Sequence, residues 1–558
     1  MKRIHWFYFA IYTIIFLSGI FALFHGFPDI ERFFPELMDE RATLTQIMQF
    51  GTLDFTPKQI IHPPLYHYLT FIPISLFFVL GKLGGIFYDK FEFVRFYFNN
   101  TEYLFFIGRL VSFVFFWLTA FVIFKIARLF HGPRIAHLTT FVFLFIPRFV
   151  FDFATTRPET LLFLNCSLAI YLFLRFTINN NYNCLFLSAF FIGVSTATKY
   201  NAIFLGAILF LWLALNFGVL KSQEGKVKLG VILLFKLVFF IFLGFFICDP
   251  FFVLDLRKYL PQLLLLNNVE MKYHWQNIYP AKFVITHLVN LISTIYLNLF
   301  GFIILGLGAF KLFKINKRIF ICLFSTILIY EIYFGILRNN YSPLYFLNPL
   351  APLALLTISF GFAYILERKK TLIYLAIPFF IILVLNYYDL LIGLSLRPTH
   401  LQKARAYIER NIPEYSVICL ANDSNIPQLS ITKESYERLM QTIPVKKSGN
   451  FDLSYKELNG AFEETRNKFK ELRIESMTKK PQYSLLRLPS SINDLNAFYD
   501  FLRKNKISYI ISCGKFNFEQ MHNASRDLII LEKKFVPVNK RVYEEDGVFI
   551  YRVNFGKN

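Results

Sequence analysis

A polytopic α-helical membrane protein carrying a C-terminal α/β domain is the fold class this sequence predicts, and three observations carry it. Of the 558 residues, 55% are hydrophobic and 19% aromatic, far from the composition of a soluble domain. Runs of about 18 to 25 apolar residues, enough to cross a hydrocarbon core about 30 Å thick, recur as far as Gly393. From about Arg397 onward charged and polar residues become frequent, and no run of that length remains.

The first apolar run, 4–25, follows Lys2 and Arg3; it is long for a signal peptide and lacks a small-residue cleavage site, so it reads as a retained span. About eleven spans are expected in all: 4–25, 103–127, 135–152, 158–178, 183–198, 200–217, 229–248, 284–310, 319–337, 344–366 and 371–393. A further run, 64–87, is as apolar as these. The basic residues decide how it is read. If it does not cross, the connections Lys125/Arg128/Arg134, Lys221/Lys226/Lys228, Lys311/Lys314/Lys317/Arg318 and Arg368/Lys369/Lys370 all share the side of Lys2 and Arg3. If it crosses, every one of them lies opposite. The run is therefore expected to be a helix along or dipping into the outer leaflet, begun by Pro63 and Pro64, which suit a first helical turn. The first outer loop, 26–102, the other outer loops and the tail then share the extracytoplasmic side of a plasma membrane. The abundance of Phe, Ile, Asn and Lys points to a bacterial one.

The formal charge of +22 does not signal nucleic acid, because the basic residues gather between apolar runs rather than on one face or arm. Cys166, Cys184, Cys248 and Cys322 lie in or beside apolar runs, Cys419 and Cys513 in expected strands, and no CxxC spacing occurs; they read as buried thiols.

The division of the chain is thus 1–396 as membrane domain and 397–558 as a soluble extracytoplasmic α/β domain. In the tail, 399–411 has helical spacing, SVICLA (416–421) reads as a buried strand, and 495–504 followed by SYIISC (508–513) repeats helix then strand. Asp546-Gly547 between VYEE and VFIYRV is a hairpin signal, and the charged stretch 453–472 reads as a solvated helix.

Chemistry is expected at the membrane edge. Asp39 and Glu40 form an acidic pair just past the first span, where Asp39 also suits the N-cap of a helix over 40–50 ended by Gly51. On the same expected side stand Arg109, Asp152, Arg157, Glu159, Lys199, Arg257, Lys258, Lys272, His274 and Arg338. Taken singly, each cation at a span end is an ordinary snorkelling anchor; the ensemble is what carries information. Transfer from a lipid-linked sugar phosphate needs a carboxylate to take the acceptor's proton and cations to neutralise the departing phosphate.

The order of motifs resembles the GT-C glycosyltransferases that use polyprenyl-phosphate sugars, a group that includes protein O-mannosyltransferases and lipid A aminoarabinose transferases. MDERATLTQI followed by HPPLYHYL matches the family's Asp-Glu motif and PPL-type run. IGRLVSFVFF places Arg109, ATTRPETLLFLNCSLAIYL places Arg157 and Glu159, and TATKYNAIFLGA places Lys199. DPFFVLDLRKYL and LYFLNPLAPLALL resemble later landmarks, so the likeness covers about the first 390 residues. Where many members carry Arg-Tyr before the late proline-containing span, this chain has Leu344-Tyr345.

The resemblance implies an inverting glycosyltransferase of the cell envelope with Asp39 as base and Glu40 orienting the site. Arg109, Lys199, Arg338 and His274 would hold the donor phosphate, and His62, Asp152, Arg157, Glu159, Glu270 and Tyr345 would line the substrate cavity. The implied partners are a lipid-linked sugar donor, membrane lipids, and a glycolipid, glycan or protein acceptor. No cofactor is required on this reading, and the outer acidic residues show no ligand spacing specific for a divalent metal. A transporter or flippase of lipid-linked glycans and a non-catalytic assembly scaffold are the other classes considered; a transporter is expected to carry internal repeats and charges near the midplane, whereas here the charges gather at span ends.

Overall fold

The structure, a computed structural model, describes residues 2–24, 38–53, 55–57, 63–218, 224–257, 259–261, 298–333, 348–368, 373–396, 400–420, 429–435, 468, 471–472, 475, 481–487, 495–513, 533–536 and 548–553. The chain divides into two compact units. One comprises Met1–Leu23, Phe55–Pro73 and Ile107–Ser395; the other comprises Phe24–Asp54, Ile74–Phe106 and Leu396–Asn558.

The helices in chain order are α1 (Lys2–Leu23), α2 (Met38–Gln49), α3 (Leu65–Leu83), α4 (Lys90–Asn99), α5 (Thr101–Phe130), α6 (Pro133–Phe145), α7 (Pro147–Phe153), α8 (Glu159–Asn179), α9 (Tyr182–Thr196), α10 (Ala207–Gly218), α11 (Glu224–Cys248), α12 (Pro250–Leu254), α13 (Asn298–Ile315), α14 (Lys317–Glu331), α15 (Ala351–Arg368), α16 (Ile373–Leu396), α17 (His400–Asn411) and α18 (Leu495–Lys504). Among the described residues six helices are long and apolar enough to cross a membrane: α3, α5, α8, α13 and the stretches Leu229–Cys248 and Ala376–Gly393. Counting the bent pair α6–α7 as one span gives a seventh, and shorter apolar helices run over Tyr8–Leu23, Tyr182–Thr196, Tyr200–Asn216 and Ala351–Glu367. The chain is thus a polytopic helical membrane protein.

Several helices differ from the sequence reading, each for a local reason. The run 135–152 is two helices meeting at 65°, because Pro147 lacks an N–H and starts a new helix at its first position. The run 200–217 opens with a 3₁₀ turn, Tyr200–Gly206, before α10. Helix α2 begins at Met38, so Asp39 lies inside its first turn rather than capping it. The helix passes into a 3₁₀ turn over Phe50–Thr52, and Leu53 at φ 64° takes the left-handed position instead of Gly51. Helix α3 stops at Leu83 rather than 87, where Gly84 and Gly85 follow and Gly85 adopts φ 73°.

In the first unit, helices touch through glycines. A Cβ on Gly193 of α9 would meet the Ile241 carbonyl oxygen, and one on Gly244 of α11 the Phe190 carbonyl oxygen. Gly308 of α13 and Gly361 of α15 face the Thr357 and Ile304 carbonyls in the same way. Small residues at such crossings allow backbone-to-backbone approach, which matters where lipid offers helices no hydrophobic reason to associate. Lys236, placed by the sequence inside a span, lies exposed on α11 with its ammonium 5.6 Å from the Phe186 ring centroid.

In the second unit, Asp89 caps α4 by accepting from the Phe91 and Glu92 amides at 2.7 and 2.8 Å, while Glu92 accepts from the Tyr88 amide at 2.7 Å, a reciprocal cap. The tail holds a five-stranded sheet of β1 (Val417–Leu420), β2 (Ser484–Arg487), β3 (Tyr509–Cys513), β4 (Lys533–Val536) and β5 (Val548–Arg552), in the order β2-β1-β3-β5-β4. β1 runs parallel to β2 and β3, and β5 runs antiparallel to β3 and β4. The tail is therefore α/β, with α17, β1, α18 and β3 where the pattern placed them. The hairpin expected at Asp546-Gly547 lies outside the described residues; β5, which follows it, pairs with β3 on one edge and β4 on the other. Most of the charged stretch 453–472 lies outside the described residues. Cys166, Cys184, Cys322 and Cys419 are buried free thiols, and Cys248 is half-buried.

Gly193→Ala is expected to force α9 and α11 apart and destabilise the protein by about 1–3 kcal/mol. Gly306→Ala on α13, where an added Cβ meets nothing within 4 Å, is expected to leave stability unchanged or raise it slightly. Thermal unfolding of the two detergent-solubilised variants checks both.

Candidate active site

The charged residues of the first unit collect where helices break. Pro147 opens α7, and Arg148 and Asp152 follow one turn apart, so the guanidinium Nη2 donates to Asp152 Oδ1 at 2.9 Å. Both are buried, at 8% and 0% exposure. The turn after α7 carries Arg157, also buried, and leads to Glu159 as the first residue of α8, an end where a carboxylate is favoured by the helix dipole. Lys199 follows the end of α9, and its Nζ donates to Glu159 Oε1 at 2.8 Å. Thr198 beside it accepts from Asn165 Nδ2 at 3.3 Å. Asp152 stands within the electrostatic reach of Arg148, Glu159, Arg157 and Lys199 together. Among the described residues the cluster sets three cations beside two carboxylates, a set of groups able to meet an anionic ligand such as a phosphodiester.

Arg109 on α5 is 2% exposed, and its Nη1 donates to the Leu23 carbonyl at 3.1 Å, where it satisfies the C-terminal end of α1. Gly108 lies against Thr156, next to Arg157, so close that a Cβ there would stand 2.6 Å from Thr156 Oγ1. The Tyr66 hydroxyl shares a 2.7 Å hydrogen bond with Ser112 Oγ and donates to the Gly108 carbonyl at 3.3 Å. The PPL run, Arg109 and the Arg157 turn thus meet at one level of α5, although they are far apart in sequence.

Of the residues expected from sequence, the structure brings Asp152, Arg157, Glu159 and Lys199 together and sets Arg109 beside their turn. Glu40 is buried at 0% exposure in the second unit. Asp39 is placed by its backbone alone, on α2; its side chain lies outside the described residues, as do His62, Lys258, Glu270, Lys272, His274, Arg338 and Tyr345. Arg257 is exposed. Among the described residues no group of three or more His, Cys, Asp or Glu could hold a metal ion.

Two features escaped the sequence reading. Arg148 was detectable from Pro147, which restarts the helix and puts Arg148 and Asp152 at i and i+4. Asp249, just past α11, was detectable as an N-cap before Pro250. Its Oδ1 accepts from the Phe252 amide at 3.3 Å, the carboxylate is fully buried, and Oδ2 has no hydrogen-bond partner among the described residues. Burial pushes this carboxyl up from 3.8 to about 6, against the lowering effect of the Phe252 N–H.

Two predictions follow from these pairings. Glu159→Ala, which removes the 2.8 Å carboxylate partner of Lys199, is expected to cost about 3–5 kcal/mol, and the paired change Glu159→Gln with Lys199→Met much less; denaturant unfolding compares them. For Asp249 the folded pKa lies above the unfolded one, so the ionised folded protein is penalised above about pH 6, by about 3 kcal/mol at most. Asp249→Asn keeps the cap oxygen and removes that penalty. Its midpoint is expected to exceed wild type near neutral pH, with the gap shrinking as pH falls through about 6 and closing near about pH 4; a pH series of thermal melts measures this.

Residues 99–244 match the family described as dolichyl-phosphate-mannose-protein mannosyltransferase, a segment that includes Arg109, Asp152, Arg157, Glu159 and Lys199. No curated protein matches the chain. Solved structures similar to it include ArnT from Cupriavidus metallidurans in the apo state, at 13% identity and TM-score 0.47 over 99% of each chain. The same protein bound to undecaprenyl phosphate is similar at 12% identity and TM-score 0.43, over 98% of this chain and 99% of that one. The apo oligosaccharyltransferase of Archaeoglobus fulgidus is similar at 12% identity and TM-score 0.45, over 91% of this chain and 69% of that one. The family match falls on the segment that carries the charged cluster and bears out the resemblance read from the motifs: over residues 99–244 the chain is similar to that mannosyltransferase family.

Proposed function

We propose that this protein transfers a sugar from a polyprenyl-phosphate donor to a lipid, glycan or protein acceptor at the outer face of the plasma membrane, with inversion at the anomeric carbon. The observation that supports this most is the cluster of Arg148, Asp152, Arg157, Glu159 and half-buried Lys199, which sets cations at the ends of membrane helices. A departing lipid phosphate gains negative charge as the glycosidic bond breaks, and cations already held in place stabilise that charge without reorganising. Carboxylates hold Lys199 and Arg148, so the cations are oriented before the donor arrives.

Asp39 is assigned as the base that takes the acceptor's proton, with Glu40 orienting the site; direct attack on the anomeric carbon by that acceptor gives the inverted product. Lys199 and Arg109, together with Arg338 and His274, are assigned to the donor phosphate. Asp152, Arg157, Glu159, His62, Glu270 and Tyr345 are assigned to the walls of the substrate site. Holding both reactants in one orientation supplies a large part of the rate enhancement, since well-oriented reactions gain effective molarities of about 10⁵ M or more. No metal enters this scheme. The outer-face placement rests on the distribution of basic connections, which gather on the side of Lys2 and Arg3.

Purified protein supplied with labelled polyprenyl-phosphate sugar and envelope acceptors is expected to release free lipid phosphate and a glycosylated product with inverted anomeric configuration. Asp39→Asn is expected to lower turnover by at least about 10²-fold, the scale of a general base, while expression and donor binding persist. Transfer by that variant at the normal rate removes Asp39 from the mechanism. Movement of intact lipid-linked sugar across the bilayer without transfer identifies a transporter instead.

A further inference from the structure

Asp249 has more carboxylate than its position in the fold requires. As the cap of α12 it uses one oxygen, and asparagine or serine caps a helix as well as aspartate does. Its second oxygen is buried at 0% residue exposure with no hydrogen-bond partner among the described residues, an arrangement that costs free energy in any fold. Close by, the Tyr200 hydroxyl is also buried without a hydrogen-bond partner, and Asp249 and Tyr259 are the charged and polar groups that Tyr200 senses electrostatically. An acceptor and a donor thus share one neighbourhood without bonding each other. Phe252 joins them: its amide holds Asp249 Oδ1, and its ring centroid lies 6.2 Å from that of Tyr200 and 6.1 Å from that of Tyr259.

We propose that Asp249 and Tyr200 recognise the hydroxyl groups of the donor's sugar, beside the Lys199 cluster that takes its phosphate. This rests on the donor reading above. A buried carboxylate repels phosphate and accepts from hydroxyls; a phenol both donates to and accepts from them, and the rings of Phe252 and Tyr259 offer apolar faces to the C–H side of a pyranose. Polyhydroxylated rings satisfy all of these at once. Tyr200 follows Lys199 directly, so its Cα lies about 3.8 Å from that of the residue assigned to phosphate, and a sugar joined to the phosphate falls within reach. Lys199 itself is held by Glu159 at 2.8 Å.

The test measures binding of polyprenyl-phosphate mannose, glucose and arabinose, and of sugar-free polyprenyl phosphate, to the full-length protein in nanodiscs. Asp249→Asn keeps the capping oxygen and Tyr200→Phe keeps the ring, so both variants retain the fold; thermal melts verify it. Each is expected to raise Kd for the preferred sugar-bearing lipid about tenfold, the loss of one good buried hydrogen bond, and to leave Kd for the sugar-free lipid within about twofold. Asp249→Asn is also expected to flatten the preference among the three sugars. Unchanged affinity for sugar-bearing lipids in both variants overturns the assignment, as does equal weakening of lipids with and without sugar. Wild-type protein that binds none of the sugar-bearing lipids overturns the donor reading as well, so the wild-type measurement tells the two failures apart.

Discussion

Charge buried away from water must be met by opposite charge, and in this protein that requirement shapes the membrane helices themselves. Glu159 and Lys199, 40 residues apart in sequence, join at 2.8 Å, and Arg148 and Asp152 join at 2.9 Å within one short helix. Each partner stands at a helix end or break: Arg148 just after Pro147, Glu159 at the start of α8, Lys199 between α9 and the 3₁₀ turn. A continuous helix presents no free backbone groups to a polar ligand, whereas an end presents several. The 65° bend at Pro147 is therefore more than a packing accident, since it turns Arg148 and Asp152 onto a helix end instead of leaving them along a straight span.

Around that cluster the helices are packed as closely as their backbones allow. Paired glycines on α9 with α11, and on α13 with α15, let carbonyl oxygens of one helix approach the Cα of the next. Dispersion and Cα–H contacts of this kind replace the hydrophobic drive that lipid removes. Close crossings also fix the ends of α9 and α11, which carry Lys199 and Asp249. Rigidity at the crossings and unsatisfied polar atoms at the ends are complementary features. A site whose carboxylates carry a desolvation cost persists only when the surrounding scaffold over-determines its geometry.

The second unit follows different physics. Segments Phe24–Asp54 and Ile74–Phe106, which the sequence reading placed with the membrane domain, cluster instead with Leu396–Asn558. There the reciprocal cap of Asp89 and Glu92 and the aromatic contacts of Phe87 with Phe93 and Phe96, at 5.2 and 5.1 Å, order the chain locally. In the mixed sheet β5 is an inner strand, held on its two edges by β3 and β4.

The sequence by itself determined the helical membrane class, the approximate place of most of the described apolar helices, the α/β character of the tail and the candidates Arg109, Asp152, Arg157, Glu159 and Lys199. Apolar run length, proline and capping chemistry act within one or two turns and are written in consecutive residues. Tertiary structure decided what those residues do. That Arg109 serves the Leu23 carbonyl 86 positions away, that Glu159 selects Lys199, and that Asp249 is left with an unanswered oxygen beside Tyr200 follow from which helix ends approach through space. Charge pairing over such separations depends on distance and desolvation, and neither quantity is encoded at any single position in the chain.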